Sequence, residues 1–216
     1  MIPRLYAHRF TDEARERKDR VWRVLCRSFL QRYVGADDTV LDLGAGYCEF
    51  INHIECGRKI AVDLRDDVRR YAGPGVEVLQ SASTHLSALG DNSVNVAFAS
   101  NFFEHLPLKK DLLTTLCEIR RVLKQGGRLL ILQPNIRYVG GAYWDFFDHH
   151  LPLTDRSLSE ALTLIGLTPI EVRRRFLPFT TKSAFPQHPL LVWLYLRMPV
   201  VQWVLGRQSW IVAVKP

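Results

Sequence analysis

The chain has 216 residues, of which 47% are apolar and 24% charged, and its formal net charge is +7. That length suits one domain with an appended element, and that composition suits a globular chain with a sizeable core, not a repeat or low-complexity protein. The positive charge points to an anionic partner such as nucleic acid, a membrane surface or a phosphorylated substrate, or else serves solubility alone.

Cys26, Cys48, Cys56 and Cys117 form no C-x-x-C pair, and no histidine stands at zinc-finger spacing. They read as reduced thiols of a cytoplasmic protein. The N-terminus shows no charged-then-apolar leader, and no uncharged apolar run reaches the length of a membrane span.

In chain order, residues 11 to 34 read as a helix, with Thr11 as N-cap and Val21, Val24, Leu25, Phe29 and Leu30 on one apolar face. Arg15, Arg17, Lys18, Arg20, Arg23 and Arg27 form a basic, solvated remainder. Val40 to Leu43 reads as a short buried parallel strand ending in a glycine turn, Gly44-Ala45-Gly46. The glycines permit a tight turn and a close approach of backbone to ligand. A helix through Phe50, Ile51 and Ile54 should follow, its first amides facing that ligand, with Gly57 as its C-cap.

Position 49, three after Gly46, is glutamate, so the dinucleotide fingerprint is incomplete and a nicotinamide dehydrogenase is disfavoured. Asp42, before the turn, would repel a pyrophosphate and suits a cationic amine. Ile60 to Leu64 is a second apolar strand, and Asp63 at its end suits ribose hydroxyls. A nucleoside bearing an ammonium group fits both acids.

Asp67 to Ala72 reads as a short helix and Val76 to Leu79 as the third strand. Val94 to Ser100 reads as a buried fourth strand, followed by Asn101-Phe102-Phe103-Glu104-His105-Leu106. Leu108 to Lys124 reads as an amphipathic helix capped by Gly126, and Arg128 to Leu132 as the fifth strand. Strand and helix alternate, which predicts an α/β protein with a parallel sheet and helices on both faces.

The stretch from Tyr143 to His150 is dense in aromatic rings, acids and imidazoles. Aromatic platforms with a few polar groups suit a sugar or another polyhydroxyl acceptor. His149 and His150 are candidate general bases for a hydroxyl, with Asp145 or Asp148 orienting one of them. The spacing is too loose to assign a metal, and a loop packing its rings on the core is an equal alternative. Thr154 should cap a helix that Gly166 closes; Thr168 to Phe176 and Ser209 to Val214 read as the last two strands.

These segments resemble class I S-adenosylmethionine-dependent methyltransferases over residues 38 to 170. The resemblance rests on Val40 to Gly46, Val62-Asp63, Asp91 to Val94, Asn101 to Leu106 and Arg121 to Leu129, in that order and spacing. It implies a doubly wound, seven-stranded, mostly parallel Rossmann-like sheet with an antiparallel last strand. It implies S-adenosyl-L-methionine as cofactor, held by Asp42, Gly44, Ala45, Gly46, Asp63, Leu64, Asn101, Phe102 and His105. The family's usual adenine aspartate is replaced by Ala82, so Ser83, Thr84 or backbone atoms would serve instead. For His105 a helix-capping or core role ranks ahead of catalysis.

The expected organisation is one domain, residues 1 to 216, with residues 1 to 36 as an N-terminal helical cap carrying Arg9 and Phe10 as lid residues. Residues 177 to 207 form a helical insertion between strands six and seven. Its apolar run, Leu190 to Leu205, suggests a cap packed on the domain or on a second copy, or else an element dipping into a membrane. Lys182, His188 and Arg197 would face a phosphate in either case.

The activity expected is methyl transfer to an oxygen of a sugar or small polyhydroxyl acceptor, of the kind met in bacterial glycan and secondary-metabolite clusters. A small natural product ranks second. Nucleic acid ranks third, since no RNA-binding module and no Asn/Asp-Pro-Pro-Tyr/Phe motif appears. A subunit that binds the cofactor without turnover is the alternative from another class. The expected location is the cytoplasm, with or without membrane association.

Overall fold

The computed structural model describes residues 12–179 and 188–216. Arg9, Phe10, Thr11 and Lys182 therefore lie outside the described residues. The chain runs α1 (Asp12–Ser28), β1 (Thr39–Leu43), α2 (Glu49–His53), β2 (Arg58–Asp63), β3 (Val76–Gln80), β4 (Val94–Ser100), α3 (Lys109–Val122), β5 (Leu123–Pro134), α4 (Ile136–Val139), α5 (Asp155–Leu164), β6 (Thr168–Arg173), α6 (Pro189–Leu196), α7 (Pro199–Leu205) and β7 (Gln208–Val214). Short 3-10 turns lie at Leu30–Tyr33, Asp66–Arg70, Phe103–His105 and Gly140–Asp145.

One seven-stranded sheet has the order β3-β2-β1-β4-β5-β7-β6. β1 to β5 pair in parallel, while β7 is antiparallel to both β5 and β6. The expected fold class is therefore found, including the inserted antiparallel last strand. The order reverses between β1 and β4, and in such sheets the ligand crevice opens outside the carboxyl ends of the strands at that point.

The central strands are apolar at nearly every position because both sheet faces are covered. Leu41, Leu43, Ile60, Val62, Ala97, Ala99, Leu129 and Ile131 face one core with Leu112, Leu116 and Ile119 of α3 and Leu158 and Leu162 of α5. The alternate residues Val40, Ala61, Val96, Phe98, Leu130 and Leu132 face the other core, with Leu25 of α1, Phe29 just past its end, and Phe50 and Ile51 of α2. Of the apolar face expected for the first helix, Leu25, Phe29 and Leu30 are buried and Val21 and Val24 half-buried, and Lys18 on its flank pairs with Glu49 at 2.8 Å.

The local structure departs from expectation in several places. The first helix ends at Ser28 and continues as the 3-10 turn at Leu30–Tyr33. The short helix expected over Asp67 to Ala72 is a 3-10 turn at Asp66–Arg70. Gly57 is not a helix cap: α2 ends at His53, and a Cβ at Gly57 would lie 3.1 Å from the Asp37 backbone. Close approach of two chains is what demands glycine there. Gly126 is not a cap either. α3 stops at Val122 because Leu123 is already extended, buried and paired with Val94 in the sheet. Thr154 does cap α5, in a reciprocal box with Ser157, and Gly166 follows its end with a φ of +79°.

The insertion forms a hairpin of two short helices, each opened by proline. Its inner side is anchored: Leu196 packs on the core, Tyr195 Oη donates to Phe176 O at 2.5 Å, and Gln202 Nε2 donates to Tyr195 O and Leu196 O. On the outer side most of its large apolar residues are exposed. No helix among the described residues is long and apolar enough to cross a membrane.

Leu130 sits fully buried on the central strand β5. Leu130→Ala should lower the unfolding free energy by about 2–5 kcal/mol, through lost burial and the cavity left behind. Urea unfolding followed by circular dichroism reads this directly; a change below about 1 kcal/mol would mean that this strand is not central to the core.

Candidate active site

The turn after β1 closes on the end of β2. The amides of Gly44 and Ala45 donate to Val62 O at 2.8 and 3.2 Å, and the Gly46 amide donates to Asp63 Oδ2 at 2.8 Å. Gly44 has a φ of +70°, and the Phe102 ring lies 2.3 Å from where its Cβ would stand, so only glycine fits. The first amides of the turn are thus spent on β2 and on Asp63 rather than displayed to a ligand. Asp63 Oδ1 accepts the Arg65 amide at 2.9 Å. Both carboxylate oxygens are fixed by one amide each, and each retains an acceptor site for a ligand hydroxyl.

A cleft of about 520 Å3 opens over this turn at the carboxyl ends of β1 to β4. Of the expected cofactor residues, Gly44, Gly46, Asp63, Leu64, Ser83, Asn101, Phe102 and His105 line it. Asn101 adopts a φ of +48° as the chain leaves β4. Ser83 reaches the cleft with its hydroxyl committed to Thr115 Oγ1 at 2.7 Å, which leaves Ser81, Ala82 and Thr84 around it at the place of the missing adenine aspartate.

Asp42 and Ala45 do not line the cleft, and the expectation that Asp42 meets a ligand amine is corrected. Its side chain lies beneath the turn, on the sheet face covered by α1 and α2, and is 4% exposed. Burial, followed by the nearby Glu49 charge, raises its pKa well above the usual carboxylate range. The strand alternation explains this: Leu41 and Leu43 point to one core, so Asp42 must point with Val40 to the other.

The histidines are sorted differently from expectation. His105 lines the cleft, and its Nδ1 lies 3.0 Å from Asp148 O and 3.2 Å from Asp148 Oδ2. Burial disfavours its charged form, but the Asp148 hydrogen bond and the Glu104 and Asp148 charges outweigh this and leave its pKa raised. His150 also lines the cleft. His149 is buried, its ring packed against Phe146, Tyr143 and His105 with centroids 4.9, 4.7 and 5.0 Å away. Asp145 is exposed and does not line the cleft. His149 and Asp145 are therefore not the base and its orienting acid; aromatic stacking turns the first imidazole inward.

Glu104 lies behind the cleft wall rather than lining it. It is buried, and burial raises its pKa. Its carboxylate accepts from Gln133 Nε2 at 2.9 Å, and its backbone oxygen accepts from the amides of His150 and Leu151 at 2.8 and 3.1 Å. That contact ties the aromatic loop to the end of β4. Sequence reasoning passed over Arg65, which lines the cleft with its guanidinium held by both oxygens of Asp67. Among the described residues, Glu104, His105 and His149 bring metal-type donor atoms within 4.8 Å of one another. Glu104 and His105 are engaged by Gln133 and Asp148, and the His149 ring is stacked, so the group reads as a bonded and stacked cluster.

Residues 41–131 match the family model described as a methyltransferase domain. A protein of Aspergillus luteorubrus described as a "probable methyltransferase" is 29% identical over 120 residues, a match that covers 47% of this chain and 42% of that protein. The chain thus spans less than half the length of that relative. A solved S-adenosylmethionine-dependent methyltransferase from Archaeoglobus fulgidus superposes with a TM-score of 0.67 at 21% identity, covering 89% of this chain and 92% of that one. One from Methanosarcina mazei gives 0.64 at 19%, covering 86% and 96%. The fold is that of the class I S-adenosylmethionine-dependent methyltransferases. Residues 41–131 thus carry the methyltransferase-domain pattern expected from the sequence, the fold is the expected one, and S-adenosyl-L-methionine is the cofactor that these likenesses support.

Two measurements follow from the charges of the site. His105 should titrate above 6.5 by NMR, and Asp148→Asn should lower that value by removing the charge and bond that favour the imidazolium. By linkage this pair stabilises the fold fully below the unfolded value of 6.5, and the contribution is lost as pH rises through the folded one. For Asp42 the sign is destabilising: its folded pKa lies above 3.8, so stability falls as pH rises through that window and the carboxyl ionises. Asp42→Asn should then unfold at higher denaturant than the parent at pH 8, with the gap closing toward pH 4.

Proposed function

We propose that this chain is an S-adenosylmethionine-dependent methyltransferase acting on an oxygen of a sugar or small polyhydroxyl metabolite. The observation that carries this reading is the cleft, where a fixed acid, Asp63, and a histidine–carboxylate pair, His105 and Asp148, face one space at the carboxyl edge of the sheet. Its lining contains Asp63, Asp111 and Asp148, while the guanidinium of Arg65 is already neutralised by Asp67. That balance suits a cationic nucleoside and opposes a pyrophosphate. The cleft volume is ordinary for a site of this kind.

When bound, S-adenosylmethionine supplies a methyl group activated by a sulfonium. The chain's part is positioning and proton handling. Asp63 accepts the ribose hydroxyls; Phe102 over Gly44 and the bend at Asn101 shape the wall. In its neutral form His105, with Nδ1 turned to Asp148, offers Nε2 to the acceptor hydroxyl and takes its proton as the oxygen attacks. His150, Phe147 and Asp148 bring the aromatic loop to the same space, which supports an acceptor with a hydroxylated, ring-shaped face.

Calorimetry with S-adenosylhomocysteine tests the cofactor site. The parent should bind, and Asp63→Ala should weaken binding by roughly 10- to 100-fold, the loss of charge-assisted hydrogen bonds worth about 1.5–3 kcal/mol. Equal affinities would remove Asp63 from the site, and absence of binding to the parent would overturn the reading. Transfer of a labelled methyl group to a panel of free and lipid-linked sugars, small phenols and RNA then identifies the acceptor class.

A further inference from the structure

The hairpin of α6 and α7 carries an apolar surface that the cleft does not use. Leu190, Leu191, Met198, Val200, Trp203 and Val204 are all at least 45% exposed, and Val200 reaches 76%. α6 has no polar face, since its sequence is Pro-Leu-Leu-Val-Trp-Leu-Tyr-Leu. Patches of this size on a globular domain mark an interaction site.

The charges around the patch decide what covers it. No aspartate or glutamate occurs after Glu171, whereas Arg174, Arg175, Arg197 and Arg207 all do. Arg197, at the bend between the helices, stacks on the Trp193 ring at 3.7 Å. Arg175 reaches from β6 to the carbonyls of Val204 and Gly206, with its guanidinium 5.8 Å from the Trp203 ring. Arg23 and Arg27 of α1 line a groove with Pro189, Leu190 and Trp193. The patch is therefore apolar at its centre, basic at its rim and edged by tryptophan.

A second copy of this chain fits poorly. A two-fold contact sets a patch against itself, so Arg27, Arg175 and Arg197 would meet one another; Arg23 is already paired with Asp19 at 3.4 Å. An anionic lipid surface fits on each count. Its acyl boundary takes the aliphatic side chains, its interface takes the indoles, and its phosphates take the guanidinium groups. The helices, of 8 and 7 residues, are too short to cross a bilayer, so they lie in its surface. The hairpin leaves and rejoins the sheet at the edge where the cleft opens, after Arg173 and before Gln208, which pairs with Pro134.

We propose that the α6–α7 hairpin docks this protein on an anionic membrane surface. The proposal does not depend on which acceptor the cleft takes.

Co-sedimentation with vesicles tests it, using phosphatidylcholine alone or phosphatidylcholine mixed with phosphatidylglycerol, alongside sedimentation velocity of the protein alone. The parent should bind the mixed vesicles roughly ten-fold more than the neutral ones. Trp203→Ser, Val200→Asp and Arg197→Glu should each cut that binding by roughly ten-fold. All three positions lie on the exposed side, so their urea midpoints should match the parent. Leu164→Ser, at an exposed leucine on α5, should bind as the parent does. No binding to mixed vesicles, or equal binding by the parent and the hairpin variants, would overturn the proposal. A dimer that Val200→Asp dissociates, without vesicle binding, would assign the patch to a second copy instead.

Discussion

The site depends on the closure of the glycine turn onto β2. Three successive amides are consumed there, two by Val62 O and one by the carboxylate of Asp63. With those bonds made, the end of β1 cannot move independently of the end of β2, and Asp63 is held by backbone on both oxygens. The third strand end joins through sterics. Phe102, just past β4, occupies the volume that any side chain at position 44 would need. A turn, a carboxylate and a ring thus fix three strand ends as one rigid wall, and the crevice is what remains above it. An incomplete dinucleotide fingerprint is consistent with this construction. The carboxylate, not a third glycine, receives the Gly46 amide.

Around that wall, charge is arranged by depth. Asp42 and Glu104 are buried, and burial raises the pKa of each, one beneath the glycine turn and the other beneath the aromatic loop. Asp63, Asp111 and Asp148 line the open space. Buried carboxyls with hydrogen-bond partners brace the scaffold, while the lining carboxyls set the field that a ligand meets. His105 stands between these layers. Its neighbours Glu104 and Asp148 hold its charged form against burial, which gives the cleft a proton-exchanging group above the ordinary histidine value.

The strands and their order were legible because burial on both faces writes a near-continuous apolar run, and because the glycine turn and the two strand-end acids have a fixed spacing. Less legible were features set by contacts distant in sequence. Gly57 looks like a cap from its neighbours, but the Asp37 backbone pressing on it is invisible in a local pattern. Gly126 looks like a cap because helix periodicity runs up to it, while the pairing of Leu123 with Val94 ends the helix earlier. His105 and Asp148 are 43 residues apart, and nothing local pairs them. The sequence density of rings and imidazoles from Tyr143 to His150 marked the right loop without saying which residues turn inward. The ring stack decides that, taking His149 into the interior and leaving His150 at the cleft.

The α6–α7 hairpin shows the same division between local and distant causes. Its helices are too short to be stable alone, and proline starts each of them. They persist because their inner side is fastened. Tyr195 reaches the Phe176 carbonyl, and Gln202 satisfies two carbonyls at the end of the first helix that would otherwise be left open. This fastening fixes the outer surface before anything touches it. A preformed apolar face loses little conformational freedom when it is covered, so most of the free energy of covering it is retained as affinity. Polar bonds on one side of a helix pair are thus what make the apolar side usable, and the absence of acids beyond Glu171 selects the sign of the surface it can meet.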